Sequence, residues 1–331
     1  MQSRNYTFDV LSKYRPHLMG VAAVGIILCH AAGNGVRLPY VIGYIFGFGN
    51  LGVDLFLLLS GFGLYNSLKN SLQTSGTGGW WSKRFLRLLV PYLILSVPYW
   101  VYICKLEGRG IEYFLYYVST IVFWFEHRGA WFVALIIPLY LLAPLIYRIC
   151  IGKNGIVKLF LLIIAICIIS EISSDSYTWG NIVFALERTP FFFLGFVSAK
   201  LAEEGVKIKY RNVVIISFCM FSCSKLLRLI DIDVFWLSAC PILWIVTLIM
   251  PILFELNFLN KILLFMGTIS LESYLTNIYL GDLFRRQDYD SKFLVYIIVV
   301  VVGISLSFVV NKISNKIIKS TTSKRITYKY E

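Results

Sequence analysis

The chain has 331 residues, of which 58% are hydrophobic and 15% charged. A soluble domain carries about 45–50% apolar and about 25% charged residues, so this composition excludes a water-soluble enzyme, a disordered chain and a disulfide scaffold. The net charge is +13, from 31 Lys+Arg against 18 Asp+Glu. In so apolar a chain that excess reads as positive loops on the inner face of a bilayer, and no nucleic-acid motif accompanies it.

The N-terminal segment 1–17 is polar and carries Arg4, Lys13 and Arg15. No small-residue cleavage site follows the first apolar run, so no cleavable signal is expected. Apolar runs then lie at 18–34, 41–67, 85–104, 111–125, 130–149, 156–172, 181–199, 212–230, 234–256, 262–282 and 292–311. Strand-type alternation is absent and the lengths suit helices. Segment 69–82, with Gly76, Gly78 and Gly79, reads as the longest loop. Run 111–125 is short and holds Glu112, so it reads as a re-entrant or surface segment rather than a span.

The tail from Lys312 carries six Lys/Arg and the segment before residue 18 carries three, which places both ends on the cytoplasmic side. Two cytoplasmic ends require an even number of spans. The expected fold is therefore all-α: a polytopic transmembrane helix bundle of about ten spans, with both termini cytoplasmic. Residues 1–331 read as a single integral-membrane domain with no separate soluble domain. The seven cysteines sit mostly inside apolar runs and read as small buried hydrophobes. Cys219 and Cys223 share a helical face, but no His or carboxylate joins them, so no metal is expected.

Ionisable groups inside spans are costly and therefore candidates for function. His30 lies in the first span and Asp54 in the second, each about 20 Å above the inner end of its helix at 1.5 Å per residue. A carboxylate beside an imidazole can fix its tautomer and raise its basicity; the alternative is a structural hydrogen bond between helices. Glu187 and Arg188 are adjacent, so they face different partners. Glu272 and Asn277 lie in a later span. Ser60-Gly61-Phe62-Gly63 places small residues where helices can approach closely. Arg84 and Arg87 share a helical face with Lys83 beside them. Such a cluster suits phosphate recognition or serves as a topology anchor.

Several of these segments together resemble the integral-membrane acyltransferase 3 family, whose members O-acylate bacterial surface glycans. "LMGVAAVGIILCH" (18–30) is similar to the family's first helix, ending in an important His that maps to His30. "GVDLFLLLSGF" (52–62) resembles its second-helix signature, with Leu57 replacing a Phe. "KRFLRLLVPYL" (83–93) resembles its basic stretch, with the RxxR pair at Arg84 and Arg87. "AWFVALIIPLYLLAPLI" (130–146), "RTPFFFLGF" (188–196) and "GTISLESYLTNIYL" (267–280) complete the likeness. Two positions depart from it. Met19 stands where the family usually has an Arg eleven residues before the His, and Arg15, one turn earlier, is out of register. Asn277 stands where a His is common.

The resemblance implies a bacterial cytoplasmic-membrane, multi-pass O-acyltransferase. The donor would be a cytoplasmic acyl-CoA, acetyl-CoA first, with its phosphates held by Lys83, Arg84 and Arg87. His30 would act as general base on a hydroxyl of an extracytoplasmic glycan or glycolipid, oriented by Asp54. Trp131, Glu187, Arg188, Glu272 and Asn277 would contact substrate, and no metal is implied. A second reading stays open on the same residues: a transporter of a glycan intermediate or small metabolite, with His30 and Asp54 lining a polar path. The lack of internal symmetry favours the enzyme.

Overall fold

A computed structural model describes residues 5–74, 76–171, 176–253, 256–287 and 291–327. In chain order the elements are β1 (Asn5–Thr7), α1 (Val10–Lys13), α2 (Arg15–Gly33), α3 (Tyr40–Gly47), α4 (Leu51–Thr74) and α5 (Gly76–Glu107). Then come α6 (Ile111–Val118), α7 (Ile121–Glu126), α8 (Trp131–Ile151), α9 (Gly155–Ser170), α10 (Tyr177–Glu203) and β2 (Lys207–Lys209). The chain finishes with α11 (Tyr210–Arg228), α12 (Phe235–Leu253), α13 (Asn257–Thr268), α14 (Ser270–Arg285) and α15 (Lys292–Thr327).

The fold is an all-α bundle whose polarity is inverted relative to a soluble protein. Asp54 is 0% exposed and Arg188 4%, whereas Leu141 is 54% and Val301 58% exposed. So large a bare apolar surface is stable only against hydrocarbon. Among the described residues, seven segments are long and apolar enough to cross a membrane, and 155–170 and 235–250 are apolar but shorter.

The sequence reading counted about ten spans and left run 111–125 out of the count as a re-entrant or surface segment; the short helices there agree with that, and the departures lie elsewhere. Run 111–125 is two helices, α6 of 8 residues and α7 of 6. At 1.5 Å per residue these are about 12 and 9 Å long, far short of the hydrocarbon core. Run 262–282 is not one helix either, because Ile269 leaves the helical path (φ −111°, ψ 17°) and separates α13 from α14. Segment 69–82, expected as a loop, is helical up to Thr74 and again from Gly76. The ribbon β1–β2 was also unforeseen. It pairs Asn5 with Lys209, antiparallel, tying the N-terminal segment to the α10–α11 connection. Strands of three residues are too short to show a period in sequence.

Small residues set the closest helix approach. Gly61 of α4 and Gly195 of α10 face one another: a Cβ on Gly195 would stand 2.9 Å from the Gly61 Cα, and 2.7 Å from the Phe62 N. No side chain fits there, so the backbones meet directly, as Ser60–Gly63 suggested. This contact brings Arg188 of α10 to Asp54 of α4. Their ion pair closes at 2.6 Å in the buried core.

Candidate active site

Two cavities lie along the same helices. The first, about 230 Å³, is cationic and contains Arg15, Arg84, Arg87, Tyr140, Phe132 and Tyr274 in its wall. Arg84 and Arg87 come from one face of α5, as their spacing predicts. Arg15, the first residue of α2, joins them. Its Nε donates to the Leu59 carbonyl at 3.4 Å. Its guanidinium lies over Gly63, where a Cβ would stand 2.9 Å from an Nη nitrogen. Arg15 therefore shares the cavity with Met19, one turn further along α2. Arg15 stays one turn out of the family register, but its side chain is long and Gly63 leaves it room to reach the cavity.

No carboxylate lines this cavity, and none of its three arginines makes an ion pair among the described residues. Three uncompensated guanidinium groups around a small cavity favour a multiply charged anion, since each can donate two parallel hydrogen bonds to phosphate oxygens. Lys83, expected to share this role, is exposed and not part of the wall. It sits one position off the Arg84–Arg87 face.

The second cavity, about 630 Å³, is aromatic and holds both His30 and His127, with Trp100, Tyr113, Tyr117 and Trp131 around them. Trp100 Nε1 and Asn34 Oδ1 are buried in its wall without a hydrogen-bond partner among the described residues. Buried polar groups are normally satisfied, so these mark a place suited to a hydrogen-bonding ligand. Flat aromatic faces beside unspent donors and acceptors suit a ligand with one apolar face and several hydroxyls.

His30 Nδ1 bonds Asn277 Oδ1. The amide nitrogen of Asn277 donates to Tyr296 Oη at 3.4 Å, and that hydroxyl donates to the Ile27 carbonyl at 2.6 Å. With its nitrogen turned to Tyr296, Asn277 presents its oxygen to His30. The hydrogen then belongs on Nδ1 and the lone pair on Nε2. Asn277 thus holds His30 in a fixed orientation while also lining the aromatic cavity. Asp54 does not take that role: its Oδ2 is held by Arg188, whose guanidinium also lies 4.4 Å from the Phe235 ring centroid. Similar depth on consecutive helices did not make His30 and Asp54 partners, because Asp54 turns towards α10.

The other expected substrate contacts divide. Trp131 lines the aromatic cavity and packs edge-on against Phe184. Arg188 serves Asp54 and lines neither cavity; Glu187, on the next helical face, also lines neither. Glu272 is buried and accepts a hydrogen bond from Asn311 Nδ2 at 3.0 Å, tying α14 to α15 outside both cavities. One residue was missed. His127 is held like His30, by an asparagine: Nδ1 meets Asn181 Oδ1 at 3.1 Å, while Asn181 Nδ2 donates to the Trp124 carbonyl at 3.2 Å. Its backbone is left-handed, at φ 52°, an uncommon conformation for a non-glycine residue. The signal available in sequence was a His in an aromatic stretch ending an apolar run too short to span.

The cavities stand back to back. Adjacent Trp131 and Phe132 of α8 line different ones, as do Asn277 and Tyr274 of α14, and His30 and Met19 of α2. At the junction Tyr274 Oη accepts the Phe132 backbone N–H at 3.1 Å. The Phe132 ring lies 6.0 Å from Phe56 and 5.6 Å from Tyr274, centroid to centroid. Among the described residues no group of three His, Cys, Asp or Glu is placed to hold a metal ion.

The fold and site define a multi-pass membrane protein with a cationic and a histidine-bearing cavity sharing four helices, α2, α5, α8 and α14. A family model described as an acyltransferase domain matches residues 17–312, and the chain belongs to the acyltransferase 3 family. No curated protein and no solved structure matches it.

Proposed function

We propose that the protein is an O-acyltransferase of the bacterial cytoplasmic membrane. It moves an acyl group, acetyl first, from cytoplasmic acyl-CoA to a hydroxyl of a glycan or glycolipid on the outer side. The observation that carries this reading is the pairing of cavities. Three arginines without a carboxylate partner open at the end of the bundle where α2 begins, and an oriented imidazole stands about 22 Å further along the same helix at 1.5 Å per residue. The arginine end is also where the N-terminal segment and Lys69 and Lys83, on the adjoining ends of α4 and α5, lie, which supports a cytoplasmic placement of that end. On this reading the chain crosses about ten times with both termini inside.

Arg15, Arg84 and Arg87 bind the CoA phosphates, and the pantetheine arm runs between helices towards the junction. His30 Nε2 takes the proton of the acceptor hydroxyl as its oxygen attacks the thioester carbon. The C–S bond then breaks, and the thiolate leaves with the proton returned by the imidazolium. Ester and free thiol are the products. The aromatic cavity orients the acceptor and keeps bulk water from competing. A transport path along His30 and Asp54 has no support in the geometry, since Asp54 is locked to Arg188 and lines neither cavity.

The test is to incubate purified protein with labelled acetyl-CoA and membrane glycan extract and to follow both thiol release and label transfer. Wild type turning over while His30→Ala does not, at equal folding yield, is the expected result. Equal turnover in both refutes the role of His30, and no turnover in either refutes the reaction.

A further inference from the structure

We propose that the Tyr274 hydroxyl is the donor that stabilises the developing oxyanion, holding the thioester carbonyl oxygen where the two cavities meet. This rests on the acyl-transfer reading above and goes beyond it by assigning the electrophilic half of the site.

Tyr274 is 2% exposed, yet it forms part of the wall of the cationic cavity. Its oxygen accepts the backbone N–H of Phe132, the second residue of α8. The first N–H groups of a helix have no partner within the helix, and here the phenol oxygen serves one of them. Accepting that bond leaves the O–H hydrogen itself to be placed, and no acceptor for it stands among the described residues. A buried hydroxyl with an unspent donor is costly unless a ligand takes it. Three features strengthen this donor. The accepted N–H polarises the O–H bond, the N-terminus of α8 contributes positive potential, and the phenol itself is buried.

Position then selects Tyr274 over the other hydroxyls of the cavity. Asn277, which orients His30, follows Tyr274 by three residues on α14, a rise of about 4.5 Å on the same face. One helical turn therefore places the carbonyl donor and the support of the base on either side of the junction. Tyr140 lies in the same wall but on α8, well beyond Phe132 and among the arginines, where it suits the phosphate end.

The step balances without a further reactant. The acceptor proton moves to His30 Nε2 as the C–O bond forms. The carbonyl electron pair moves onto oxygen, which receives a hydrogen bond from Tyr274 and no proton. When the C–S bond breaks, the carbonyl re-forms and the thiolate takes the proton from His30.

Infrared difference spectra of carbonyl-labelled [1-¹³C]acetyl-CoA bound to the full-length protein test the proposal without knowledge of the acceptor. The thioester carbonyl band should shift to lower frequency on binding to wild type. In Tyr274→Phe it should return towards the free position, while kcat falls by about 10²–10³ and KM for acetyl-CoA stays nearly unchanged. A merely structural tyrosine would lower thermal stability and leave the band where wild type has it. Binding with an unshifted Tyr274→Phe difference overturns the Tyr274 assignment and leaves the acyltransferase reading standing. Failure of wild type to bind acetyl-CoA overturns both. Should the Phe variant fold poorly, 3-fluorotyrosine at 274 keeps ring and oxygen and makes the O–H a stronger donor. The band should then move further down, and an unchanged band rejects the proposal.

Discussion

His30 and Asn277 meet across 247 positions of sequence, and the asparagine is itself fixed by Tyr296. The bond joins α2 to α14 and sets which imidazole nitrogen keeps its lone pair. Replacing Asn277 by Leu keeps the branching at Cγ and removes the orienting amide. We expect kcat to fall by about 10²-fold or more, the scale of general-base assistance, with donor affinity retained. Steady-state kinetics with acetyl-CoA, paired with equilibrium binding of CoA, checks this; a parallel loss of binding would show a wider structural failure. Asp54→Asn should spare the pH profile that His30 imposes.

The cationic cavity predicts a graded response in donor binding. Arg15→Gln, Arg84→Gln and Arg87→Gln should each weaken CoA affinity about tenfold or more, since a charge-assisted hydrogen bond contributes about 1.5–3 kcal/mol. Lys83→Gln should change it by less than about twofold, as for an exposed charge outside the site. Titration calorimetry on the purified protein measures all four. If Lys83 matters as much as Arg15, the three-arginine cavity is not the phosphate site.

The Asp54–Arg188 pair is buried and should act on stability before chemistry. Removing one partner leaves a buried charge unpaired, so Asp54→Leu or Arg188→Met alone should destabilise by about 3–5 kcal/mol, while the double replacement recovers most of that loss. Thermal unfolding in detergent with both single variants and the pair forms the cycle. Turnover per folded molecule should remain near wild type in the double variant. A folded double variant without activity would return Asp54 to the catalytic machinery.

Topology can be checked at the short helices α6 and α7. Single cysteines at Glu107 and Arg128, in a background without native cysteines, should react with an impermeant thiol reagent from the same side of the membrane. Labelling from opposite sides would make 111–125 a crossing and remove the parity behind two cytoplasmic ends.

His127 supplies a further expectation. His127→Ala should raise KM for the acceptor while leaving thiol release to water largely intact, because His127 faces the aromatic cavity and not the one that holds Arg15, Arg84 and Arg87. Comparing acetyl-CoA hydrolysis with label transfer to membrane glycan separates these effects. A matched loss in both would place His127 in the chemistry itself.

The sequence by itself determined that this is an all-helical membrane protein. Apolar runs of helix length cannot hide in a soluble core, and backbone groups in hydrocarbon must be satisfied within each helix. It also marked His30, Arg84, Arg87 and Trp131 at the positions where the cavities hold them, because each lies at a helix end or on a face that a period of 3.6 exposes. Pairings across helices were not legible. Depth along consecutive spans suggested His30 with Asp54, but azimuth decides contact, and azimuth follows from how helices dock. The backbone contact at Gly61 and Gly195 turns Asp54 to Arg188. The break at Ile269 gives α14 its own start, and α14 carries Asn277 to His30. Arg15 enters the cationic cavity through the space left by Gly63, on a helix distant in sequence. Local composition sets where helices form; only the packing of one against another decides which polar groups meet.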